Sequence, residues 1–278
     1  MKKFTVISLL CLVFLSGCGY GVRYAASKAF YQGGQEFDET PEDRGLPYVI
    51  AEFENTDGNT LHGWVVPGKE GYPLIMYFHG NLSNVTHGLE KIEMLNSLGF
   101  SIFSFEYRGY GKSEGRALYE DDFYRDARSA LWWLHRMGWE NSKIIYYGHS
   151  LGAAVALNLA LEEPPAGVIL ESAFTSYAGM LKYKAPFLYM LGGWKASEFS
   201  NISKISKLKS PIVLFHGTSD LIVPSLMSQR LYDSAQQPKK LYLVDGASHV
   251  NAMYLERKAL AEDLKDFLQD SEKPVSFQ

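Results

Sequence analysis

Short apolar runs recur along the chain at Leu74–Phe78, Ser101–Phe105, Ile144–Tyr147, Gly167–Leu170 and Ile212–Phe215, with helical segments between them. A run without polar alternation reads as a strand buried on both faces. The segments at 86–98, 121–137, 150–161 and 226–234 carry apolar residues near the 3.6-residue helical period or rich helix-forming composition. Strands alternating with helices predict an α/β fold: a mostly parallel central sheet with helices on both faces. Ahead of them, 48–54 and 60–66 flank Asn55-Thr56-Asp57-Gly58-Asn59, whose Asp-Gly pair predicts a hairpin. A last strand at 240–244 and one closing amphipathic helix at 251–268 complete the pattern.

This pattern starts at about Leu46, so 46–278 is read as one domain. A content of 46% hydrophobic residues suffices for one sizeable core. The formal charge of -4, without a basic stripe, excludes a nucleic-acid partner. No Cys/His group has zinc spacing, and no metal or organic cofactor is implied.

Residues 1–18 read as an export signal. Lys2 and Lys3 precede the apolar run Phe4–Leu15. That run is short of the roughly 20 residues that span a bilayer, and fits a signal-peptide core. Leu15-Ser16-Gly17-Cys18 resembles the bacterial lipobox, which makes Cys18 the expected lipidation site and the membrane an expected partner. An ordinary signal peptide cleaved nearby, or an uncleaved anchor, are the alternatives. Cys11 and Cys18 are the chain's two cysteines, so the domain after Cys18 has no thiol. Gly19 replaces the Asp that would resemble inner-membrane retention, and points to an outer membrane of the bacterial cell envelope. Residues 19–45 are read as a tether with some helix around 23–31.

Gly148-His149-Ser150-Leu151-Gly152 is a G-x-S-x-G pentapeptide between the strand Lys143–Tyr147 and the small-residue helix Leu151–Ala156. A strand-to-helix turn this tight strains the serine backbone and pushes its hydroxyl into the cleft. Ser150 is therefore the candidate nucleophile. An incidental serine in a tight turn is the bland alternative. Tyr77-Phe78-His79-Gly80-Asn81 ends an earlier strand, and its loop is placed to supply one oxyanion-hole N–H. Asn81 and Leu151 are assigned as the two backbone donors, and His79 is read as structural.

The expected chain order is serine, acid, histidine. His216 and His249 follow Ser150. His216 precedes every plausible acid except Glu171, which leaves His249 as the base, on the loop after the last strand. Asp220 is the preferred acid. Asp245, four residues from His249, and Glu171, at a strand end, are its rivals.

The chain resembles the α/β-hydrolase superfamily, and within it the membrane-associated branch that includes the protein depalmitoylases. The likeness runs through Gly45-Leu46-Pro47, Thr56-Asp57-Gly58, Leu61-His62-Gly63-Trp64, His79-Gly80-Asn81, Tyr107–Ser113, the pentapeptide and His216–Asp220. It implies the α/β-hydrolase fold, a Ser150–Asp220–His249 triad, and the loop Tyr107–Gly115 as a wall of the site. Two departures stand out. Glu106 takes a place usually held by Asp, and the Cys-rich N-terminus of the eukaryotic depalmitoylases is missing. Residues 172–209 are expected to form a small lid. Its aromatic and apolar content, from Phe174 to Trp194, suits an acyl chain over a large polar substrate.

The function expected is a lipid-anchored serine hydrolase that cleaves carboxylic esters or thioesters, palmitate esters among them, taking a small-molecule or acylated substrate. An amide or peptide hydrolase on the same scaffold, or a non-catalytic envelope lipoprotein, are the other readings.

Overall fold

The computed structural model describes residues 31, 33–34, 36–81, 84–190 and 199–271. The expected signal peptide, Cys18, most of the tether and Trp194 of the lid lie outside these residues. Among the described residues, no helix is long and apolar enough to cross a membrane.

Eight strands form one sheet in the order β1-β2-β4-β3-β5-β6-β7-β8. The hairpin β1 (Val49–Glu54) and β2 (Thr60–Val66) is antiparallel, and β2 runs antiparallel to β4 (Ser101–Phe105). All remaining pairs are parallel: β3 (Leu74–Phe78), β5 (Ile144–His149), β6 (Gly167–Glu171), β7 (Ile212–Gly217) and β8 (Lys239–Val244). The central strands are buried on both sides, as uninterrupted apolar runs require.

The two faces of β3 show how the core divides. Leu74, Met76 and Phe78 join the cluster under α2 (Glu120–Arg136), α3 (Leu151–Glu162) and α6 (Ser225–Ser234). Ile75 and Tyr77 point the other way, into the cluster with α1 (Leu89–Ser97), α7 (Ala252–Leu255) and α8 (Arg257–Ser271). A period of two along the strand thus feeds two cores from one run.

Two expected helices differ in detail. The segment at 86–98 begins as a 3-10 turn, Val85–Gly88, because Asn84 caps it through Thr86 N at 3.0 Å. The closing helix is broken at Glu256 (φ -108°, ψ 29°), which separates α7 from α8. Ala252 and Met253 are fully buried there, and Met253 N points to Glu171 Oε1 at 3.4 Å. That tertiary demand overrides the local helical pattern.

The expected lid leaves the sheet after β6 and returns before β7. It carries α4 (Tyr177–Lys184) and α5 (Pro186–Met190). Its two stems are stitched together: Ile202 N donates to Thr175 O at 3.0 Å, and Asn201 Nδ2 to Phe174 O at 2.8 Å.

Candidate active site

The carboxyl ends of β3, β5, β6, β7 and β8 converge on one edge of the sheet, the edge where open α/β sheets place their ligands. Each candidate residue from the sequence emerges there. Ser150 follows β5, Asn81 follows β3, Asp220 follows β7 and His249 follows β8.

Ser150 has φ 54° and ψ -114°, a left-handed backbone that a non-glycine residue rarely adopts. Holding it costs about 1–3 kcal/mol. Ser150 N donates to Glu171 O at 2.9 Å, and Ala153 N to Ser150 O at 3.1 Å, so both sides of the turn are pinned. The glycines around it are needed for space. A Cβ at Gly148 would lie 2.5 Å from Gly152 O, and one at Gly152 would lie 2.0 Å from Phe78 O. Both obstacles are backbone and cannot swing away. Gly152→Ala is therefore expected to destabilise the fold by about 3 kcal/mol or more, the upper end for an overpacked core. A thermal melt checks this, with a midpoint about 6–12 °C lower for a domain of this size.

α3 starts directly behind the serine, and Leu151 is its first residue. The positive end of its dipole favours negative charge at the serine. The strand end of β3 lies close: a Cβ at Gly80 would sit 3.1 Å from His149 Nδ1. Asn81 is held by its side chain, whose Oδ1 accepts from Tyr110 Oη at 2.7 Å. The backbone N–H groups of Asn81 and Leu151 thus belong to two segments that meet at the turn.

The loop Tyr107–Gly115, expected as a wall, acts in large part as a buttress. Tyr107 and Tyr110 are buried, and Tyr107 Oη donates to His79 O at 3.3 Å. Arg108 is anchored on Asp126 at 2.7 Å and reaches Asp57 in the β1–β2 turn at 2.6 Å. His79 is structural, as expected. Its Nδ1 donates to Gly80 O at 2.8 Å, and Nε2 lies 3.2 Å from the buried carboxylate of Glu106. The Glu in place of Asp is accommodated, because its Oε1 accepts from Val85 N at 2.9 Å.

His249 and Asp220 come together. His249 Nδ1–H donates to Asp220 Oδ2 at 2.7 Å. The other carboxylate oxygen accepts from Ile222 N at 2.8 Å and Val223 N at 2.9 Å. Burial alone would raise the Asp220 carboxyl. Hydrogen bonds from His216 and His249 outweigh it and hold the group well below the ordinary carboxylate range. An imidazole bonded this way keeps its proton on Nδ1 and leaves Nε2 free to accept one from a hydroxyl. Ser150 Oγ and His249 are not hydrogen-bonded to each other in this structure. Such contacts often tighten only when substrate binds.

Both rival acids are occupied elsewhere. Asp245 is exposed in the β8 turn and accepts from Thr218 Oγ1 at 3.1 Å. Glu171 is fully buried and pairs with Lys91 Nζ at 3.0 Å, while Tyr147 Oη also donates to it.

His216 has a role that the sequence reading did not give it. Its Nε2–H is shared between Val223 O at 2.9 Å and Asp220 Oδ2 at 3.1 Å, and its Nδ1 faces Ser228 Oγ at 2.7 Å. It orients the carboxylate from below. The four-residue spacing from His216 to Asp220 across a strand end was the available signal.

Among the described residues, no group of three His, Cys, Asp or Glu side chains is placed to hold a metal ion.

Comparison with known proteins bears on this arrangement. The family model described as serine aminopeptidase, S33, matches residues 72–205. The α/β-hydrolase domain-containing protein WAV2 of Arabidopsis thaliana is 33% identical over 215 residues, covering 70% of this chain and 69% of that one. Protein bem46 of Schizosaccharomyces pombe is 31% identical, over 85% of this chain and 81% of its own. An uncharacterized Mycobacterium tuberculosis protein is 34% identical over 221 residues, 78% of each chain. Among solved structures, the Pyrococcus furiosus esterase Pf2001 superposes with a TM-score of 0.68 at 21% identity, covering 88% of this chain and 98% of that one. Sheet order, strand-end site and relatives agree, and the chain belongs to the α/β-hydrolase family.

Proposed function

We propose that this protein is a serine hydrolase that cleaves carboxylic esters or thioesters through an acyl-enzyme on Ser150. The observation that carries the reading is the 2.7 Å bond between His249 Nδ1 and Asp220 Oδ2, on a loop seated against the strained serine turn. His249 takes the Ser150 proton as the hydroxyl attacks the acyl carbon, and returns it to the departing alkoxide or thiolate. Backbone N–H groups of Asn81 and Leu151 meet the oxyanion, where one such donor is worth about 3–4 kcal/mol. Water, deprotonated by the same imidazole, then attacks the acyl carbon, and the bond to Ser150 Oγ breaks as that oxygen takes the proton back and the acid leaves.

Exposed apolar side chains favour an acyl group over a charged substrate. The lid and acid loop present Phe187, Met190 and Leu221, exposed by 69%, 78% and 86%. Lys184 Nζ donates to Leu221 O, which holds the end of α4 against the acid loop. The resemblance to depalmitoylases narrows the proposal to long acyl chains such as palmitate. Lipidation at Cys18 would tether the domain to a membrane of the bacterial envelope.

Amide cleavage is a second reading, favoured by the serine aminopeptidase description of the matching family. A free α-amino group needs a carboxylate to receive it. Asp220 is committed to two imidazoles and Glu171 to Lys91, so neither of these two serves that purpose.

The test is a panel of short-chain esters, long-chain esters, acyl thioesters and aminoacyl amides, with fluorophosphonate labelling in parallel. Labelling with ester or thioester turnover is expected. A clear preference for the amides would overturn the substrate class, and absence of labelling would overturn the enzyme.

A further inference from the structure

The base has to be aimed as well as ionised, and its loop is long. Asp220 fixes one nitrogen of the ring but lies two strands away from β5. What ties the loop back to the serine is the backbone carbonyl of His249, which accepts two side-chain hydrogen bonds. His149 Nε2–H donates at 2.9 Å and Ser172 Oγ at 2.8 Å. His149 immediately precedes Ser150, and Ser172, with φ 53°, caps the neighbouring strand. The carbonyl of the next residue, Val250, accepts from the buried Lys91 ammonium, which is itself paired with Glu171. Side chains from β5, from the end of β6 and from α1 therefore hold two consecutive peptide groups of the loop.

We propose that His149, the residue just before the serine in the pentapeptide, is a positioning residue for the catalytic base: it sets His249 over Ser150 through the carbonyl of His249. This deepens the serine-hydrolase reading and rests on it. The ring is well placed for such a role. Gly80 on the oxyanion strand approaches its Nδ1 edge with no side chain between. The His249 ring lies 5.0 Å away, centroid to centroid. One side chain thus touches the nucleophile turn, the oxyanion segment and the base loop. Burial lowers its pKa to about 4, against the opposing pull of Glu171, so the ring stays a neutral single donor at working pH.

The test compares His149→Leu with His149→Gln in the full chain, using a short-chain p-nitrophenyl ester and a fluorophosphonate probe. The leucine variant lacks the donor, and the glutamine variant can return an N–H at similar reach. His149→Leu is expected to lower kcat and the labelling rate about 10- to 100-fold, the scale of a misplacement near 1 Å. KM should stay within about twofold, because the lid and pocket are untouched. His149→Gln should recover most of the loss. Ser172→Ala, which removes the other donor on the same oxygen, is the second variant if His149→Leu fails to fold, and should lower kcat in the same way.

A folded His149→Leu with wild-type kcat would overturn the proposal, as would equal losses in the leucine and glutamine variants or an unaffected Ser172→Ala. Those outcomes leave the wild type active and labelled. An unlabelled, inactive wild type would instead sink the hydrolase reading.

Discussion

Ser150→Ala is expected to lose about 10⁵- to 10⁶-fold in kcat on any ester the wild type turns over, together with all fluorophosphonate labelling. The loss is large because no neighbouring group can replace the hydroxyl. His149 is turned toward the base loop, and Ser172 Oγ is spent on the His249 carbonyl. Stability should barely change, since alanine inherits the same φ of 54°. Ser150→Gly separates the two quantities. It is equally inactive, but glycine adopts this backbone without penalty, and a gain of about 1 kcal/mol is expected from the released strain. Burst kinetics and a thermal melt on the three proteins check both parts. Residual turnover by Ser150→Ala near the wild-type rate would remove Ser150 from the chemistry.

Asp220→Asn is expected to cost about 10⁴-fold in kcat, through the hydrogen-bond pattern rather than through charge alone. The carboxylate accepts on both oxygens: His249 and His216 on Oδ2, Ile222 N and Val223 N on Oδ1. Whichever way an asparagine amide is turned, its NH₂ meets donors. Facing the two backbone N–H groups it leaves them unpaired. Facing His249 it forces the proton from Nδ1 to Nε2, and that tautomer cannot accept from Ser150. The second arrangement is the cheaper one, so the protein folds with the wrong tautomer.

The same carboxylate has a pH signature. Its folded pKa is depressed, so its stabilising contribution is fully present above the unfolded value of about 3.9, begins to fall below it, and is lost only as pH passes down through the folded value. The stability gap between wild type and Asp220→Asn should therefore be constant from pH 7 to about pH 5 and shrink by about 1.4 kcal/mol per pH unit once pH falls below about 4. Thermal midpoints across that range decide it, and a gap that stays constant below about pH 4 would show that the carboxylate is not held low.

The strand framework was legible because buried parallel strands carry uninterrupted apolar runs. The runs Leu74–Phe78 and Ser101–Phe105 have the same bounds as the strands they form. The candidate site residues are named by a different route, since each follows such a run and the expected chain order of serine, acid and histidine leaves few choices. What escaped were the other contacts that join distant segments. Lys91 on a helix reaches Glu171 on β6 and the carbonyl of Val250, the last of these 159 positions away, and nothing local in the sequence marks the three as partners. The sequence argues against His216 as a base and is silent on its hold over the acid, because only the fold brings its Nε2 under Asp220. The break at Glu256 is hidden for the same reason: the segment is helical by composition, and the pull of Glu171 on Met253 is tertiary.

The stitched stems of the insert, Thr175 to Ile202 and Phe174 to Asn201, give this scaffold room for divergence. A segment whose two feet are already bonded side by side closes its loop at those bonds, and lengthening what lies above them costs only about 0.6 kcal/mol per doubling. Insertions, deletions or whole exchanges between residues 176 and 200 can accumulate while β6 and β7 stay in register. Relatives with one reaction and unrelated appetites are what such a chassis would produce, and chimeras spliced at those two feet are the natural way to re-target it.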